Sequence, residues 1–207
     1  MTARSFSLIP FPAPTIPHIS VTGNISVQKN ILHLNYSCTG NIEDVFLPPA
    51  SVTSSRKDEL WKTTCFEFFL AIKDQPHYWE FNMSPAGDWN AYHMDAYRRV
   101  GFREETSIQM LPFEVQNTRV AKAPQTESSG YEEGIIHLNA MVDLNSIVPQ
   151  NQHLDFGITA IIQTTDGNET YWALTHPAPF ADFHLRESFI LELAESTSLS
   201  QQSAPGD

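Results

Sequence analysis

The 207-residue chain is poor in cysteine, in basic residues and in long apolar runs, and each scarcity excludes something. Two cysteines, Cys38 and Cys65, are too few for a disulfide-built scaffold. Both fall on apparent strands and read as buried thiols. No stretch approaches the roughly 20 apolar residues of a membrane-spanning helix. Near the N-terminus prolines interrupt every apolar stretch, so no export signal is expected and the chain reads as cytoplasmic. Twelve Lys and Arg stand against 24 Asp and Glu, a formal net charge of -12. That balance repels phosphate backbones and anionic lipid surfaces, so neither nucleic acid nor a membrane is an expected partner. Protein partners are not specified by the sequence. Charged residues are only 17% of the total, too few for the Glu- and Lys-rich faces of a helical bundle.

What is present is a chain of 41% hydrophobic residues, enough for one buried core, punctuated by 14 prolines. Short alternating runs recur between turn signals. NISVQKNILHLNYSCTG reads as a hairpin around Gln28-Lys29-Asn30, and Glu43 to Leu47 reads as a strand stopped by Pro48-Pro49. In TCFEFFLAIKD, Phe66, Phe68, Leu70 and Ile72 share one face, while Cys65, Glu67, Phe69 and Ala71 share the other. Both faces are largely apolar, which predicts a central strand. Tyr78 to Met83 and Trp89 to Met94 follow as strands joined by Ser84-Pro85-Ala86-Gly87. Further runs lie at Gln109 to Val120, Gly134 to Val142 and HLDFGITAIIQTT, the last returning through Asp166-Gly167 into ETYWALTHP. SFILELA closes the series. About ten short strands with little helix predict an all-β, antiparallel β-sandwich. Residues 1–17 read as a proline-rich lead-in, 18–194 as the sandwich domain and 195–207 as a disordered polar tail.

Several motifs carry a family likeness. Leu60-Trp61-Lys62-Thr63-Thr64-Cys65-Phe66-Glu67, Tyr78-Trp79-Glu80-Phe81-Asn82-Met83-Ser84-Pro85 and Gly87-Asp88-Trp89-Asn90-Ala91-Tyr92 occur in this order. With Tyr171-Trp172-Ala173-Leu174-Thr175-His176-Pro177 and Asp182-Phe183-His184, they resemble the DOMON-like domains, which are related to family 9 carbohydrate-binding modules. The resemblance covers roughly residues 18 to 194 and implies a jelly-roll type sandwich. It also implies a ligand that is either a sugar or haem, since one fold does not fix one ligand.

The residues offer four chemistries. Trp61, Trp89 and Trp172 could stack on the apolar faces of a sugar ring, with Asn82, Asn90, Tyr92, Arg98 and His176 reaching its hydroxyls. The plainer alternative is that the rings cap the core and the amides satisfy the turn. His176, Asp182 and His184 could hold a metal or move protons, but their spacing matches no tight metal signature. Met83, Met94 and His176 could ligate haem in an electron carrier. Glu67 and Glu80, on neighbouring predicted strands, could pair as acid and base in a hydrolase-like enzyme. No G-x-S-x-G elbow, phosphate loop or dinucleotide fingerprint is present. The sequence therefore predicts a non-catalytic binder of a carbohydrate or other small polar ligand, with no resident cofactor. A haem domain, an enzyme and a protein-interaction module are the alternatives.

Overall fold

The computed structural model describes residues 3–98, 101–119 and 134–194. Along them run thirteen strands: β1 (Arg4–Ser7), β2 (Ile9–Pro10), β3 (Ile19–Gln28), β4 (Ile31–Gly40), β5 (Cys65–Ile72), β6 (Tyr78–Met83) and β7 (Trp89–Met94), then β8 (Arg103–Glu104), β9 (Gln109–Arg119), β10 (Gly134–Asp143), β11 (His153–Gln163), β12 (Glu169–Ala173) and β13 (Leu191–Ala194). They form two sheets, and every strand pairing is antiparallel. The first sheet has the order β1-β3-β4-β10-β9. The second runs β2-β12-β11-β5-β6-β7-β8, with β13 paired to β11. The predicted all-β sandwich is what the chain forms.

Turn chemistry fixes the registers. Lys29 and Asn30 both take φ near +55° (51° and 57°) between the paired residues Gln28 and Ile31, the two-residue hairpin whose twist suits its strands. The Ser84–Asp88 loop closes with Gly87 N–H donating to Ser84 O at 2.9 Å, and Gly87 supplies φ +98°. Asp88 holds this turn to the 51–57 loop by an ion pair to Lys57 at 2.7 Å and hydrogen bonds from Ser51 and Ser55.

The central strands β5, β6 and β7 of the second sheet are buried on both faces. Phe66, Phe68, Leu70, Phe81, Met83, Phe156, Ile158 and Ile162 point into the core against the first sheet. Phe68 and Phe81 stack at 4.2 Å, and Tyr36 reaches across from β4 to donate its hydroxyl proton to Glu67 O. The alternate residues Phe69, Ala71, Tyr78, Tyr92, Met94 and Ile161 build a second apolar cluster on the outer face, roofed by Phe183 and Phe189. Cys38 and Cys65 are free, buried thiols; burial pushes the Cys38 thiol up to about 12.

Two expectations need revision. Residues 1–17 are not outside the sandwich: β1 pairs β3, and β2 pairs β12, so the lead-in edges both sheets. Its prolines fall at edges and between strands, where a missing N–H costs no ladder bond. Glu43 to Leu47 is not a strand; Ile42–Asp44 is a single 3-10 turn, and Val45 makes one isolated bridge to Thr164. The expected 195–207 tail lies outside the described residues.

Candidate functional site

The outer face of the second sheet carries a cavity of about 930 Å³. Strand alternation places its floor. On β5, Glu67 and Phe69 face outward because Phe66 and Phe68 face the core; on β6, Glu80 faces outward because Phe81 faces the core. Loops make the walls: Trp61 from a 3-10 turn, Arg98 and Phe102 from the segment after β7, and Pro179 to His184 from the segment after β12. Phe11 to Pro14 of the lead-in and Tyr171 of β12 complete it. Among the lining residues, Trp61, Tyr171, Phe102 and Phe180 supply ring surface at the walls.

The floor is acidic and unevenly satisfied. Glu67 is 2% exposed; its Oε2 accepts from Thr159 Oγ1 at 3.3 Å, while its Oε1 is buried with no partner. Glu80 Oε1 accepts from Asn82 Nδ2 at 2.8 Å, leaving Asn82 Oδ1 also buried and unpartnered. Burial, then the charge of Glu80, pushes the Glu67 carboxyl well above the usual carboxylate range. Burial raises Glu80 to about 7 against the opposing pull of Asn82 and Arg98.

The cations nearby are already engaged. Arg98 donates through Nε and a terminal nitrogen to Asp182 Oδ1, at 3.1 and 2.8 Å. Asp182 also accepts from Tyr97 Oη and from the His184 N–H at 3.0 Å. Burial alone would raise the Asp182 carboxyl, but the bonds from Tyr97 and Arg98 outweigh it and hold it below its ordinary value. Tyr78 Oη accepts the Arg98 N–H at 3.2 Å and lies 2.9 Å from His184 Nδ1, where it is assigned as the donor with His184 as the Nε2–H tautomer. Burial, helped by the Arg98 charge, pulls its imidazole down to about 4, so it is neutral at physiological pH. His184 Nε2 lies 3.9 Å from Glu80 Oε2, beyond hydrogen-bonding distance.

Of the residues singled out in the sequence, Trp61 and Arg98 line the cavity, and Asn82 is buried beside the floor, not in its lining, and bonded to Glu80. Asn90 and Tyr92 share the outer face, but both bond to Asp58 Oδ1, and Asn90 also accepts from Arg56 at 2.9 Å. Tyr92 touches the wall through its ring, edge-on to Trp61 and stacked on Phe102 at 5.0 Å. Trp89 and Trp172 sit elsewhere. Both belong to the core between the sheets, Trp89 under the Arg56 guanidinium at 4.1 Å and Trp172 bonded to Thr170. The two rings therefore stack on protein, not in the cavity. His176 stands at the edge, its Nε2 bonded to Ile9 O at 3.0 Å, where it anchors the lead-in.

Met83 faces the core and Met94 the outer cluster, so the two thioethers do not meet. Among the described residues, no group of three or more His, Cys, Asp or Glu side chains is arranged to hold a metal ion. Tyr171, Phe102 and Phe180 were not singled out in the sequence. For Tyr171 a signal existed: it alternates with Trp172, so burying one in the core turns the other outward.

No family profile matches the chain, and no curated protein matches it. Solved structures do. A candidate carbohydrate-binding protein from Bacteroides uniformis superposes with a TM-score of 0.58 at 14% identity, over 92% of this chain and 87% of that one. A family 9 carbohydrate-binding module from Caldicellulosiruptor kristjanssonii, solved with cellotriose, superposes with a TM-score of 0.53 at 9% identity, over 99% and 88%. The chain thus has the sandwich fold of these modules.

Proposed function

We propose that the protein is a non-catalytic carbohydrate-binding module whose site is the outer-face cavity. The observation that carries this reading is the pairing of aromatic walls with a hydrogen-bonding floor in one concavity. Trp61, Tyr171 and Phe102 offer flat surface for the C–H faces of a sugar, and Glu67 and Glu80 offer acceptors for its hydroxyls. At about 930 Å³ the cavity falls within the usual span of roughly 300–1,000 Å³ for ligand sites. The fold shared with a module solved with cellotriose supports the reading. So do the motifs resembling DOMON-like domains, and we place the chain among them on those motifs.

The two carboxyls also invite a glycosidase reading, but such enzymes need one acid and one ionised carboxylate, set apart by their surroundings. Here burial raises both, and among the described residues no Lys or Arg is bonded to either. That arrangement suits holding a ligand better than attacking one.

Calorimetric titration of a panel of mono- and oligosaccharides tests the proposal, with affinities expected on the order of micromolar to millimolar. Binding that is weakened about tenfold or more by Trp61→Ala supports it. Release of reducing sugar by the wild type, abolished in E80Q, would favour the enzyme instead.

A further inference from the structure

We propose that the ligand of this cavity is a sugar bearing a free primary amine, its ammonium seated between Glu67 and Glu80. The inference rests on the carbohydrate reading above and narrows it to a chemical class.

The hydrogen-bond inventory of the floor leads there. Glu67 Oε1 lines a cavity in a residue 2% exposed and has no partner. Asn82 stands opposite Glu67 in the ladder, and its Oδ1 is likewise buried and unpartnered. Glu80 Oε2 has only the imidazole of His184, at 3.9 Å. Two of these oxygens, Glu67 Oε1 and Asn82 Oδ1, are thus buried without a partner, and the third has no close one among the described residues. A ligand that completes them must bring donors, and a primary ammonium brings three. Leaving a buried polar group unpaired is costly, so the floor discriminates by what it lacks.

The charge balance agrees. Among the described residues Arg98 is the Lys or Arg lining the cavity, and Asp182 is ion-paired with it at 2.8 Å. His184 is neutral because burial, helped by the Arg98 charge, lowers its imidazole. Toward the β7 side, Tyr92 and Asn90 face Asp58, itself an acid. From β12, Glu169 adds a further carboxylate at the cavity lining. The remaining titratable neighbours, Cys65 on β5 and Tyr36 from the other sheet, are held protonated by burial. Among the described residues no cation is hydrogen-bonded to either carboxyl, Arg98 acting on Glu80 only through its charge, and the rings of Trp61, Phe69 and Phe102 in the lining favour a cation. A quaternary ammonium would satisfy the rings but has no N–H for the floor, so the geometry selects the primary amine.

The test uses the full chain near pH 7. The probes are 6-amino-6-deoxyglucose, whose amine keeps its proton there, its N-acetyl counterpart, glucose itself, and cyclohexylamine as an amine without hydroxyls. The amine sugar is expected to bind about tenfold or more tighter than both neutral sugars. Titration in two buffers of different ionisation heat is expected to show proton release, because the ammonium displaces protons held by the pair. E80Q, checked for folding by its melt, is expected to bring the amine-to-hydroxyl affinity ratio close to one. Proton release in the wild type needs no variant. Equal or tighter binding of glucose or the N-acetyl sugar overturns this inference and leaves the carbohydrate reading standing. Binding of cyclohexylamine with proton release, and of no sugar, overturns both as statements about sugars. No binding by any probe also overturns both.

Discussion

Glu67 stands directly opposite Asn82 across the β5–β6 ladder, and each keeps one side-chain oxygen buried without a hydrogen-bond partner. Two facing acceptors gain nothing from each other unless one carries a proton. The raised carboxyl of Glu67 fits that state, an acid that stays protonated because burial and Glu80 both oppose its charge. Replacing it by Gln should supply a donor permanently and remove a charge that must otherwise be suppressed. E67Q is expected to fold, and to melt at or above the wild-type temperature in mildly alkaline buffer. A large loss of stability there would show that the carboxylate form is required.

Stability should depend on pH from both sides. The folded-state values of Glu67 and Glu80 lie above those of the unfolded chain, so their contribution is full below the unfolded value. It is lost as pH rises through the folded one, about 7 for Glu80. His184 acts in the opposite sense. Its value is depressed to about 4, so its contribution is present above the unfolded value and is lost as pH falls toward the folded one. Melting temperature against pH should therefore peak in the mildly acidic range, and E80Q should flatten the alkaline limb alone.

Tyr78 joins two loops that roof the cavity, accepting from Arg98 and donating to His184. Tyr78→Phe removes both bonds, at about 1 kcal/mol each in chemical denaturation. It should also raise the His184 value from about 4, because the neutral imidazole loses its donor. Imidazole chemical shifts followed through a pH titration give that value independently of stability.

The two tryptophans Trp61 and Trp172 should separate binding from folding. Trp172 is 3% exposed in the core, and its replacement by Ala is expected to cost about 3–5 kcal/mol. Trp61 lines the cavity on a short 3-10 turn, so Trp61→Ala should weaken ligand binding with a smaller loss of stability. Parallel denaturation and calorimetry distinguish them.

Gly157 leaves room for the roof. A Cβ at this position would come 2.9 Å from the Phe189 ring, which packs on Phe69 and Tyr78. Gly157→Ala should displace that ring, with a loss of about 1–3 kcal/mol. The accompanying signal is faster amide exchange in 183–189.

Much of the sandwich was legible in the residues, because hairpin turns and two-residue alternation are local. Lys29-Asn30 and the Ser84 to Gly87 turn mark their connections directly, and the two faces of β5 divide as the sequence implies. Which face meets the other sheet was not legible for β6 and β7, since every residue from Tyr78 to Met83 and from Trp89 to Met94 is buried. Alternation gives the period but not the sign when both sides are covered. That ambiguity is why Trp89, attractive as a stacking residue, turns out to pack in the core. The pairing of Glu67 with Glu80 could be proposed from neighbouring strands. The orphaned oxygen of Glu67 could not, because it depends on Thr159 bonding to the other carboxylate oxygen.

The most direct test of the central claim is calorimetric titration of saccharides into the wild type, Trp61→Ala and Tyr171→Ala. The account predicts measurable binding to the wild type and a loss of about tenfold or more in each variant at unchanged fold. Saccharide binding that survives both substitutions intact would contradict it, as would the absence of binding by any saccharide.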